Sequence, residues 1–219
     1  SMDGDLTLRT QKLISINPRE TYHIMVKLDR LFCALTNKAA FVRVKNIICE
    51  QGISEKTFNM NASDFKTQIY LGKSKIYFTG SNMSAYKGLM KGNGFLDLSR
   101  WPPKLLLDFK AYRLDVSELA SALKLDYELK GSLDFKGVFN NQMEPCLSGR
   151  LDAVEGYLKN AKLLELISDF LNVPSLKNLY FERISSRVYF SSVNNEFIFD
   201  KISVSGQDIN LNGDIRLKN

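Results

Sequence analysis

One histidine, His23, is all the imidazole this chain of 219 residues contains. It lies in an alternating stretch, Tyr22-His23-Ile24-Met25-Val26-Lys27-Leu28-Asp29, and reads as a strand residue rather than a base. No serine or cysteine motif of the nucleophile–base kind surrounds it. Cysteine is scarce as well: Cys33, Cys49 and Cys146 are far apart, odd in number and form no C-x-x-C. That argues against a thiolate metal site and against a disulfide framework. A single Cys33–Cys49 bridge and buried free thiols both stay open. Gly92-Asn93-Gly94 lacks the third glycine and the βαβ setting of a dinucleotide loop, and no Walker-type run is present. Carboxylates are spread singly. Asp97, Asp134 and Asp152 recur at equivalent places and read as outward-facing strand residues, not as an acid pair. No catalytic residue, metal or cofactor is therefore expected, and the chain reads as a non-enzyme.

There is no apolar run of membrane-spanning length and no signal peptide. Ser1-Met2 reads as a cloning remnant ahead of an internal start, so the chain is expected to be a fragment of a longer protein. The excess of basic residues is small, 30 Lys and Arg against 24 Asp and Glu, for a net charge of +6. Charges of both signs intermix, which suits a solvated sheet face and weak attraction to anionic headgroups. No nucleic-acid partner is expected.

What the chain has in quantity is period-two alternation, the mark of strands with one buried side. It runs through Tyr22–Asp29, Phe58–Ala62, Lys104–Lys110, Phe197–Val204 and Ile209–Asn212. A short unit recurs along it: Gly, then two apolar positions two apart. The copies begin at Gly4, Gly94, Gly131, Gly149 and Gly213. Each glycine is expected where the chain leaves a turn and a strand opens. Two segments break the pattern. Val116 to Leu123 follows Asp115, an N-cap residue type, and reads as a short helix. Leu158 to Leu171 reads as an amphipathic helix with Leu163, Leu164, Ile167, Phe170 and Leu171 on its apolar side, stopped by Pro174. Trp101-Pro102-Pro103 marks a turn or sheet edge.

The ordered series from Leu105 resembles the AsmA-like family, related to TamB and to the repeating-groove bridge-like lipid transfer proteins. The series is Leu105–Asp115, the short helix, Leu129–Gly137, Leu147–Ala153, the amphipathic helix, Leu179–Ile184, a hairpin at Asn194-Asn195, and Ile202–Leu217. The resemblance implies a long, strongly curved antiparallel sheet with an apolar concave side. It also implies a membrane anchor ahead of the sheet, a place in the bacterial periplasm, and phospholipid movement between membranes in outer-membrane biogenesis, with envelope proteins as further partners.

The expected fold is thus mainly β: a long curved antiparallel sheet, groove- or taco-like, with one amphipathic helix and a short one. Residues 1–104 form its N-terminal part and 105–219 an AsmA-like module, read as one continuous sheet. The expected groove lining is Ile24, Val26, Leu28, Phe58, Met60, Leu96, Leu98, Leu105, Leu107, Phe109, Leu133, Phe135, Leu151, Val188, Phe190, Ile202, Val204, Ile209 and Leu211. Its ligand would be a phospholipid or other acyl lipid. The alternative is a structural or protein-interaction module, β-sandwich-like and without ligand.

Overall fold

The computed structural model describes residues 2–10, 22–35, 39–53, 56–122, 128–159, 168–169, 178–206 and 210–218, and all that follows concerns these. Twelve strands lie in one sheet in chain order, each antiparallel to the next. They are β1 (Met2–Thr10), β2 (Tyr22–Leu35), β3 (Ala40–Ile53), β4 (Lys56–Leu71), β5 (Lys75–Ala85), β6 (Gly88–Asp97), β7 (Lys104–Asp115), β8 (Glu128–Asn140), β9 (Leu147–Lys159), β10 (Asn178–Ser191), β11 (Glu196–Ser205) and β12 (Asn210–Lys218). One helix, α1 (Val116–Ala122), follows β7. The pairing of β6 with β7 carries the sheet without a break past residue 104. No second sheet stacks on the first, so the two-layer sandwich is not the architecture. The expected amphipathic helix lies outside the described residues except for Ser168 and Asp169, which are helical, and Leu158 and Lys159, which belong to β9.

The sheet is open and curved. Its accessible surface is 15021 Å² for a 24.9 kDa chain, about half as much again as the ~10,000 Å² expected of a compact monomer of that mass. The curvature has a local cause. Six strands carry a residue with φ between 51° and 60°: Arg30 (φ 53°), Asp64 (φ 54°), Gly80 (φ 60°), Arg113 (φ 51°), Glu155 (φ 51°) and Lys201 (φ 53°). At each of them the pairing with a neighbouring strand slips by one residue. These are β-bulges, which bend a strand and sharpen its twist. A bulge turns one backbone N–H out of the ladder, and three of them are caught by a side chain on the next strand. Gly80 donates to Asn93 Oδ1 at 2.8 Å, Arg113 to Asp134 Oδ1 at 2.7 Å and Lys201 to Asp214 Oδ1 at 2.8 Å. Asp134 is thus outward-facing as expected, but it also satisfies a backbone donor that the sheet leaves over.

The repeated glycines do not open strands. Gly4, Gly94, Gly131, Gly149 and Gly213 all lie within β1, β6, β8, β9 and β12. Close approach explains two of them. A Cβ on Gly94 would collide with the Leu106 carbonyl oxygen, and one on Gly149 would come within 2.5 Å of the Phe135 ring.

On the polar face the register lines up like charges. Lys91, Lys110, Lys136, Arg150 and Arg187 stand directly opposite one another on consecutive strands β6 to β10. Like charges in opposed positions cost stability. Only the far end of the row is relieved: Asp152 Oδ2 accepts from Arg150 Nε at 2.8 Å, and its Oδ1 accepts from Arg183 Nη2 at 2.7 Å. Partial burial pushes the Asp152 carboxyl up, but the two arginines outweigh it and hold it below the ordinary Asp value. Lys110→Glu, between Lys91 and Lys136, is expected to stabilise the sheet by about 0.5–1 kcal/mol, raising Tm by roughly 1–4 °C. Thermal melts at low and high salt check this, since screening should shrink the gain.

Candidate functional site

The bulges matter for the face opposite the charges because each one resets the alternation. In β7, Leu105, Leu107, Phe109 and Ala111 share one face; past Arg113 the same face continues at Leu114. In β5, Phe78 is followed on that face by Ser81 and Met83. Cross-strand rows then join up. One runs Phe78, Gly94, Leu107, Phe139, Leu147, Phe190, Phe197, Leu217 across β5 to β12. The next runs Ser81, Gly92, Phe109, Gly137, Gly149, Val188, Phe199, Ile215. The rows are apolar except for Ser81 and the glycines, and rings lie against the glycine backbone: Phe135 covers Gly137 and Gly149 and packs on Phe109 at 5.4 Å between centroids.

This face is only partly covered by protein. Leu105, Leu107, Phe109, Phe135, Phe139, Leu147 and Phe190 are all half-buried. The main packed cluster, Ala153, Phe181 and Val204, lies between β9 and β11, with Leu133, Leu151, Ile184 and Ile202 against it. Over β4 to β7 the face instead opens into an apolar recess of ≈ 520 Å³, within the range of small-molecule pockets. Phe65 on β4, Phe78 and Met83 on β5, Met90 on β6 and Leu105, Leu107 and Phe109 on β7 line it.

α1 closes one end. It leans on β8, β7 and β4, so it spans the face at the C-terminal end of β7. Val116 and Ala120 are its buried residues. As expected, Asp115 caps it: Oδ1 accepts from Ser117 N at 2.9 Å, Ser117 Oγ at 2.5 Å and Glu118 N at 3.3 Å. The Ser117 hydroxyl, with the two backbone N–H groups and Lys87, holds the Asp115 carboxyl below its ordinary value against the opposing effect of burial. Asp115→Ala is expected to cost about 1 kcal/mol. Because the folded pKa is depressed, the cap is fully present above the unfolded value of ~3.9 and fades as pH falls through the folded one. Denaturation of wild type and variant should therefore differ at neutral pH and converge at strongly acidic pH.

Most of the residues read from the sequence as groove lining fall on this face. Leu96, Leu105, Leu107, Phe109, Leu133, Phe135, Leu151, Val188, Phe190, Ile202 and Val204 do so. Leu28 stands opposite Ile47, in the row that continues through Ala62 to Ala85. The backbone sets Val26 and Met60 opposite Cys49, and Ile24 and Phe58 opposite Gln51. Leu98 does not line the face: it lies beyond the end of β6 and is exposed, since β6 stops at Asp97. Leu211 opposes Val204 on the last strand and is exposed for want of a further neighbour. Ile209 and the helix residues Leu163, Leu164, Ile167, Phe170 and Leu171 lie outside the described residues. Phe65, Phe78, Met83 and Met90 were not legible as lining. Tyr77 beside Phe78 blurs the alternation, and the bulge at Gly80 shifts its phase.

Cys33 is a free thiol, not bridged to Cys49: its register partner is Val42, whereas Cys49 stands opposite Val26. Cys146 is buried and free. Among the described residues no three His, Cys, Asp or Glu side chains gather as metal ligands, and no helix is long and apolar enough to cross a membrane. Comparison with protein-family models, curated proteins and solved structures finds no match to this chain.

Proposed function

We propose that the apolar face is a non-catalytic lipid groove of the AsmA-like kind, which holds phospholipid acyl chains and passes them along the sheet. The observation that carries this reading is the open recess among Phe78, Met83, Leu107 and Phe109, on a face continuous with apolar rows as far as β12. Each methylene buried there contributes ~0.8 kcal/mol, so an acyl chain needs no charged clamp, and headgroup selectivity is low. The envelope location, the membrane anchor outside this sequence and envelope partner proteins belong to the same proposal. Native mass spectrometry of gently purified protein tests it. Mass adducts that extract as phospholipid or fatty acid are the expected result; a protein that stays bare when offered lipid counts against the reading.

A further inference from the structure

In a meander of antiparallel strands, alternate connections fall at the same end of the sheet. The connections β4–β5, β6–β7, β8–β9 and β10–β11 thus share one rim, at the end away from α1. At or directly beside each stands a strongly exposed apolar side chain: Leu71 (73%) at the end of β4, Leu98 (51%) and Trp101 (89%), Met143 (62%) and Val193 (80%).

The connections are also tied to one another. Leu98 N donates to Ser74 O at 2.8 Å, joining the first to the second. Asn141 Nδ2 donates to Pro103 O at 2.9 Å, and Asn141 Oδ1 accepts from Leu105 N at 2.8 Å, joining the second to the third. Ser192 Oγ and Glu144 Oε2, 3.1 Å apart, join the third to the fourth. The rim is therefore a fixed row that presents its apolar tips without an ordering cost at the moment of contact.

We infer that this rim docks on a membrane surface containing anionic lipid, with the five apolar tips entering the headgroup boundary. Two features favour a membrane over a protein partner. The tips are separate points spread over about six strand spacings, roughly 30 Å, whereas a protein interface buries a contiguous patch. A fluid interface takes each tip singly, and an exposed indole among basic residues has the composition of an interfacial belt. The charge on the rim is complementary too. Lys73 and Arg100 are exposed and have no ion pair among the described residues. Of the acids nearby, Asp97 is paired with Lys75 at 3.5 Å, while Glu144 accepts from Ser192 and keeps its charge. The cations of Lys73 and Arg100 are the groups that anionic headgroups would meet. The geometry stands apart from the groove reading, but the purpose of the contact, loading or unloading the groove, rests on it.

Trp101 is the chain's one tryptophan, so the protein carries its own reporter. The experiment adds vesicles of phosphatidylcholine, with and without phosphatidylglycerol, to the whole chain and reads Trp101 emission, quenching by bromine-labelled lipid, and co-sedimentation. A blue shift with quenching is expected, stronger when phosphatidylglycerol is present. Met143→Ser with Val193→Ser, checked for an unchanged melt, should weaken partitioning by about tenfold or more. Leu107→Asp, which alters only the groove, should leave the shift intact, so failure of the groove reading is told apart from failure of this one. No shift and no sedimentation overturns the proposal. Salt-sensitive sedimentation without a shift also overturns it, since charge alone then makes the contact. A shift that rises with protein concentration in the absence of vesicles overturns it in favour of a second copy of the chain on the rim.

Discussion

Leu107→Asp is expected to abolish capture of a fluorescent acyl lipid while the sheet stays folded. Leu107 stands opposite Gly94 and Phe139 in the middle of the recess, half-buried and facing its open space. In the free protein a carboxylate there keeps much of its water, so stability falls by about 1 kcal/mol. An acyl chain laid over it would strip that water. A charged side chain held against hydrocarbon costs ~2.5–3.5 kcal/mol on insertion scales, which weakens binding by on the order of a hundredfold. Lys110→Asp, on the opposite face of the same strand, should bind like the wild type. A binding titration on the two variants, with circular dichroism to confirm the fold, checks the pair. Equal loss in both would mean that lipid does not meet the apolar face.

Gly94→Ala should damage the sheet although it adds a single methyl. The new Cβ would meet the Leu106 carbonyl oxygen and would lie 2.7 Å from Leu107 Cδ2, and the first of these is backbone that cannot rotate away. Overpacking of this kind costs about 1–3 kcal/mol, or roughly 2–12 °C in Tm for a chain of this size. Gly213→Ala has open space around its Cβ within 4 Å and should be neutral or slightly stabilising. Thermal denaturation of both variants separates a glycine required by close approach from one that is not.

These two positions mark how far the sequence was legible. Alternation in β2, β7 and β11 was enough to predict an antiparallel sheet with one apolar side, and Asp115 before Val-Ser-Glu was enough to place α1. The glycine unit was visible, but its role was not. From sequence alone a glycine ahead of alternating residues reads as a strand opening. Gly94 and Gly149 prove to be mid-strand, under carbonyls and rings of the adjacent strand. The bulges were hidden for a related reason. Arg30, Asp64, Arg113, Glu155 and Lys201 are ordinary polar residues at positions that do not advertise a positive φ. Each shifts the phase of its strand, so strict alternation misplaces or misses residues beyond it, as the bulge at Gly80 does with Met83. The basic row on the other face has no signature along the chain at all. Lys91, Lys110, Lys136, Arg150 and Arg187 are scattered in sequence and become neighbours only through the register. The exposed rim likewise depends on which connections share an end.

The most direct measurement uses two adjacent residues. Leu106 and Leu107 are neighbours in β7 that face opposite sides: Leu106 pairs with Phe95 on the charged face, Leu107 with Gly94 on the apolar one. A photo-reactive benzophenone side chain at each, irradiated with lipid-loaded protein and read by mass spectrometry, reports which face meets acyl chains. Lipid adducts at 107 and none at 106 are the expected result. Adducts at both positions alike, or at neither, would contradict a lipid groove on the apolar face.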